Sequence, residues 1–155
     1  MPITELQQIV QEIVREATEL KNKYTDAINA RVNYACIFSY SEQEFKSLVN
    51  LAKENGKIVK ETSAGPIFRI PTLSTVSGSL KLLKIRKPDK SKHQKGYADF
   101  TIKDFSKFKK KYLQNKNFHL FTRPGYEIIG IKNSNANVST YFANPPLDEQ
   151  LKQFL

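Results

Sequence analysis

One order of secondary-structure signals occurs twice in this chain, and few folds accommodate such a doubling. From residue 31 the hydrophobic pattern reads strand, helix, strand, strand, strand over 31–87, and the same order returns over 96–145. In the first copy, VNYACIFSYS alternates with period two, placing Tyr34, Cys36 and Phe38 on one face and Ala35 and Ile37 on the other, a strand buried on both sides. Ser41 with Glu44 then caps a helix carrying Phe45, Leu48, Val49 and Ala52, which Asn55-Gly56 ends. Strands are expected over 57–62, 66–70 and 79–87, with TLSTVSG as a turn-rich connection. In the second copy YADFTI is a strand, Asp104 caps a helix through Phe105, Phe108 and Leu113, and FHLFTR, YEIIGIK and VSTYFA are three strands. Identity between the copies is slight, but both open on a strand that runs into a capped helix with an early Phe, YSEQEF and IKDFSKF.

Ahead of the repeat, Thr4 and Gln7 have capping-box spacing, and Leu6, Val10, Ile13, Ala17, Leu20, Tyr24 and Ile28 recur at three or four residues. That pattern predicts one amphipathic helix over 5–28. The expected organisation is a single α+β domain over 1–155. It has an N-terminal helical cap (1–30), a first βαβββ unit (31–87), a basic linker (88–95), a second unit (96–145) and a C-terminal tail (146–155).

The doubled βαβββ unit resembles the vicinal oxygen chelate superfamily, which includes glyoxalase I, bleomycin-resistance proteins and extradiol dioxygenases. The resemblance covers roughly 31–145 and lies in element order, with KIRKPD, YADFTI and YFANPPL similar to segments of bacterial members. It implies two units paired into a curved, incomplete barrel around a pocket, with the first helix as an added cap. It further implies a divalent metal held by His and Glu from the first and last strands of each unit, and a lyase, isomerase or dioxygenase-like activity where a member is an enzyme. Carried onto this chain, those strands offer Tyr34 and Cys36, then Leu82, Lys84 and Arg86 (or Lys81 and Leu83 in the other phase), then Tyr97 and Asp99, then Tyr141. The His/Glu set is missing, and a lysine beside one carboxylate suits no divalent cation. The expectation is therefore a pocket for a small polar or aromatic ligand, lined by Tyr34, Lys84, Tyr97, Asp99, Glu127 and Tyr141, with no metal cofactor and catalytic residues undefined.

Within that set, Asp99 stands among apolar neighbours and, facing inward, must be either protonated or paired, with Lys84 or Arg86 as the natural partner. Tyrosines pack a ring while presenting a hydroxyl. Arg123 and Arg69 have the fork that clamps an anion, although pairing with a surface acid is the commoner use. His119 and His93 read as structural and solvated residues, and Cys36 as a small core hydrophobe. No phosphate-cradling glycine loop, nucleophile elbow or zinc-protease motif occurs.

The formal net charge of +10 is local. Residues 1–80 hold nine cations and nine anions and residues 112–155 four and three, which leaves a net +9 in 81–111. Lys90 and Lys92 in a loop, and Lys107, Lys109, Lys110 and Lys111 on a helix, define a basic patch flanking the joint between units. This supports a second reading, a nucleic-acid-binding or interaction protein, with weak non-specific binding favoured because lysines far outnumber arginines. The apolar content can close a core burying roughly two-thirds of the surface. No window is a membrane span or secretory signal, and the single Cys36 fits a reducing, cytoplasmic setting. A homodimer is the remaining partner the sequence leaves open.

Overall fold

The computed structural model describes residues 4–133 and 135–155. Helix α1 (Glu5–Tyr24) starts on the expected box: the Gln7 N–H donates to Thr4 Oγ1 (3.2 Å) and the Thr4 N–H to Gln7 Oε1 (2.9 Å). It ends four residues before the expected 28. Thr25 is extended and its hydroxyl donates to the Lys21 carbonyl, while the buried Lys21 ammonium donates to the carbonyls of Ala27 and Ile28 and folds that segment back. Ile28 consequently leaves the apolar stripe and is 54% exposed.

The first unit is β1 (Arg31–Phe38), α2 (Glu42–Asn55), β2 (Lys57–Thr62), β3 (Gly65–Thr75) and β4 (Gly78–Arg86). The second is β5 (Gly96–Thr101), α3 (Phe105–Tyr112), β6 (Phe118–Arg123), β7 (Tyr126–Ile131) and β8 (Val138–Asn144). The βαβββ order thus occurs twice, as expected. Element bounds within the units shift by a residue or so, and the largest difference is that most of TLSTVSG is strand rather than connection. A register shift between Arg69 and Leu73 accommodates Pro71, Leu73 is buried, and the turn closes only at Gly78, whose φ of 99° suits glycine.

All eight strands form one sheet in the order β2-β3-β4-β1-β5-β8-β7-β6. Each unit closes on itself through a parallel pair, β1 with β4 and β5 with β8, and the units meet where β1 runs antiparallel to β5. At that joint Gly96 lies against Cys36, where a Cβ would fall 2.0 Å from the Cys36 carbonyl oxygen. Helices α1, α2 and α3 cover one face: Val10, Ile13, Val14 and Ala17 of α1 share a core with Ala35, Ile37, Leu83, Ala98, Phe100 and Phe142. The other face is concave. Its edge strands curl toward each other so far that Lys60 and Thr62 of β2 line the same cavity as Phe121 and Arg123 of β6. The barrel is open, as the resemblance implied.

The C-terminal tail takes part in this architecture. A short helix α4 (Leu147–Gln150) and a following turn fold across the concave face, and Leu151, 2% exposed, packs on Ile67 and Leu82. The Asp148 N–H donates to Asn33 Oδ1 (3.1 Å), fixing the tail to β1.

Candidate functional site

Sheet register explains which side chains meet on the concave face. One row of laterally paired residues runs Lys60, Ile67, Lys84, Cys36, Tyr97 from β2 to β5. The next runs Leu82, Tyr34, Asp99, Tyr141, Gly130, His119 from β4 to β6. Because side chains alternate with period two, both rows face the same way. They enclose a cavity of about 430 Å³, and Tyr34, Lys84, Tyr97, Asp99 and Tyr141 all line it. The Lys84 and Arg86 phase on β4 is the inward one; Leu83, in the other phase, belongs to the core under the helices.

Glu127 is not brought to this cavity. Strand β7 presents Tyr126 and Ile128 to the concave side, so the alternation turns Glu127 toward α3, where Lys109 donates to both carboxylate oxygens at 3.0 Å. Arg123, for which a surface acid was the expected partner, lines the cavity and donates to its neighbour's Thr122 carbonyl (3.1 Å). Lys60, Phe121, Leu147 and Gln150 also line it, and sequence reasoning passed over them. A register shift between Ile58 and Lys60 breaks the alternation in β2, and nothing in 146–155 signals a return to the sheet.

The tyrosines form one edge-to-face cluster: the Tyr97 ring centroid is 5.6 Å from that of Tyr34 and 5.0 Å from that of Tyr141, with interplanar angles of 83° and 84°. The Tyr34 and Tyr97 hydroxyls share a hydrogen bond of 2.8 Å. Burial, reinforced by neighbouring groups that would be anionic, pushes both phenols well above their usual range, so both stay neutral.

Asp99 is 1% exposed. Its Oδ1 accepts one hydrogen bond, from the Ala143 N–H at 3.3 Å, and it has no cationic partner among the described residues. The expected pairing with Lys84 or Arg86 does not form: Lys84 lies in the other row, and Arg86 reaches Asp89 at 3.4 Å. Desolvation then dominates and holds the Asp99 carboxyl well above the usual carboxylate range.

Lys84 is half-buried, and its ammonium is lowered by burial above all, with the Arg86 and Lys60 charges adding to the effect. Cys36 lies beside it under full burial, which pushes the thiol up to about 12. At pH 8 an alkylating reagent is therefore expected to leave Cys36 unmodified in the folded protein and to label it fully in denaturant. Labelling at the free-thiol rate without denaturant would contradict this burial.

The basic segment does not form one patch. The loop joining β4 to β5 sits at the Phe38 end of β1, whereas α3 follows β5 from the Arg31 end, because β5 runs antiparallel to β1. Much of its charge is also compensated. Lys95 pairs with Glu12 (3.2 Å) and Glu16 (3.0 Å), Lys109 with Glu127, Lys111 with Asp26, and Arg86 with Asp89. Lys92 joins the cavity wall, while Lys107 lines a separate cleft of about 730 Å³ with Asp26 and Lys111. That cleft is larger, but the groups with cavity-altered acidity gather in the smaller one, which is the better candidate site. Its lining offers one carboxyl, Asp99, among three lysines and two arginines, a donor set poor in the oxygen and imidazole ligands that a divalent metal takes.

No protein-family model matches the chain, and no curated protein matches its sequence. Among solved structures, a structural-genomics protein, EC4020, is similar over 99% of this chain and 98% of its own, with a TM-score of 0.72 at 8% identity. A glyoxalase/bleomycin resistance protein/dioxygenase superfamily member from Vibrio splendidus 12B01 aligns over 74% of this chain and 97% of its own (TM-score 0.44, 8% identity). Methylmalonyl-CoA epimerase from Mycobacterium tuberculosis aligns over 73% and 86% (TM-score 0.44, 11% identity). Two βαβββ units, each closed by a parallel strand pair and joined through their first strands into an open curved sheet, give this chain the fold of the vicinal oxygen chelate superfamily.

Proposed function

We propose that this protein binds a small organic ligand in the concave cavity without a resident metal. The observation that carries the reading is convergence. Tyr34, Lys84, Tyr97 and Asp99 come from three strands, all have acidities displaced by the same enclosure, and all line one volume of about 430 Å³. That size is typical of small-molecule sites, and the lining has the usual character, an aromatic wall with a few polar groups. Ring faces and edges at Tyr97 and Tyr141 suit a planar or cyclic body, and the Asp99 acid can donate a hydrogen bond to an acceptor on it.

An NMR titration with phenol and benzoate tests this. Resonance shifts are expected to concentrate at Tyr34, Tyr97 and Tyr141, and Asp99→Ala is expected to weaken the response by about fivefold, the scale of one hydrogen bond. Shifts confined to the Asp26–Lys111 cleft, or an undiminished response in Asp99→Ala, would place the site elsewhere.

A further inference from the structure

The cavity has cations but no anion to match them. Lys60 and Lys84 lie in one lateral row, separated only by Ile67, and Arg86 follows Lys84 on the same strand and face. Arg123 and Lys92 complete the wall from β6 and the β4–β5 loop. Among the described residues Lys60, Lys84, Lys92 and Arg123 form no ion pair, and Arg86 alone is shared, with the half-exposed Asp89 at the rim. The single carboxyl inside, Asp99, accepts only a backbone N–H and sits one row away.

Of the cavity cations, Lys84 and Arg86 are half-buried, and Lys60, Lys92 and Arg123 reach the cavity from exposed positions. The half-buried Lys84 ammonium feels the Arg86 and Lys60 charges beside it, a repulsion that an arriving anion would relieve. Resting on the ligand-binding reading above, we infer that the ligand is an oxyanion, a carboxylate or phosphate-type group seated among Lys60, Lys84 and Arg86, with its ring or planar body against Tyr97 and Tyr141. Such a group would accept charge-assisted hydrogen bonds from two ammonium groups and a guanidinium, and the row spacing of the sheet puts the tyrosines within one small molecule's length of them.

The test measures affinities for two matched pairs, benzoate against benzamide and phenyl phosphate against phenol. The expected result is that at least one anion binds about tenfold or more tightly than its neutral counterpart, the scale of a charge-assisted contact. Lys84→Met should abolish that preference, and raising NaCl from about 0.05 to 0.5 M should weaken the anion alone. Lys60→Met serves as a second variant, with the melting temperature of each checked for folding. Benzoate favoured over phenyl phosphate identifies a carboxylate, and the reverse a phosphate. Equal affinity for neutral and anionic rings would overturn the oxyanion while leaving the cavity as a ligand site. Absence of any cavity shift with all four probes would overturn both.

Discussion

Replacing Phe100 with alanine is expected to cost about 3–5 kcal/mol of unfolding free energy, the range for deleting a fully buried aromatic ring. Phe100 is 0% exposed and belongs to β5 at the joint between units, paired in register with Val32 of β1. Its ring lies 6.2 Å from that of Phe142 on β8 and 5.4 Å from the Lys21 ammonium, so it ties the central strands of the second unit to the helix that spans both. The sheet joint and α1 restrict collapse into the space left behind. A domain of this size has about 5–15 kcal/mol in hand, so the loss would be a large part of the total. Urea unfolding is the measurement, with a lower midpoint at an unchanged slope. Phe154→Ala, at a ring 49% exposed, is the control and should stay within about 0.5 kcal/mol. A loss below about 1 kcal/mol in Phe100→Ala would mean that the joint is not packed in this way.

The second large effect is a pH dependence. The Asp99 carboxyl is held well above its unfolded value by burial. Its contribution to stability is therefore fully present below about pH 4, where both states are protonated, and is lost as pH rises toward its folded-state pKa. Across that window the unfolded chain releases a proton that the native protein retains. Stability should then fall with a slope approaching about 1.4 kcal/mol per pH unit. Asp99→Asn keeps an oxygen for the Ala143 N–H and removes the titration. The variant should accordingly gain stability relative to the wild type as pH is raised from 5 to 8, measured by urea unfolding at each pH. The other titrating groups are common to both proteins and cancel. Parallel curves for the two would show that Asp99 ionises in the folded state as freely as in water.

The same two residues show where sequence legibility ended. That both lie on β5 follows from YADFTI, and alternation puts Asp99 and Phe100 on opposite faces. Which face is the helix-covered core and which is the cavity depends on the register with β1 and β8. Sequence alternation likewise allows either Lys84 with Arg86 or Lys81 with Leu83 to face inward on β4, and pairing with β1 selects the first. Glu127 shows the opposite outcome. Its place at the start of an apolar strand suggested the cavity, yet one step along the strand separates it from Tyr126, and that step turned it to Lys109.

The sequence by itself determined the order of elements, because each hydrophobic period, cap and turn is a local property of consecutive residues. Thr4, Ser41 and Asp104 cap their helices as their spacing requires, and the βαβββ order occurs twice; the open, curved sheet came from the resemblance that this order carries. It also located the excess charge in 81–111. Only the tertiary structure decided what that charge does. Antiparallel pairing of β1 with β5 sends the loop lysines and the α3 lysines to opposite ends of the sheet, and acids distant in sequence neutralise Lys95, Lys109 and Lys111. Curvature that brings β2 near β6 collects Lys60, Lys84 and Arg123 around the tyrosines, and the C-terminal tail closes one wall. Such placements depend on contacts between residues far apart in the chain, which no local pattern encodes.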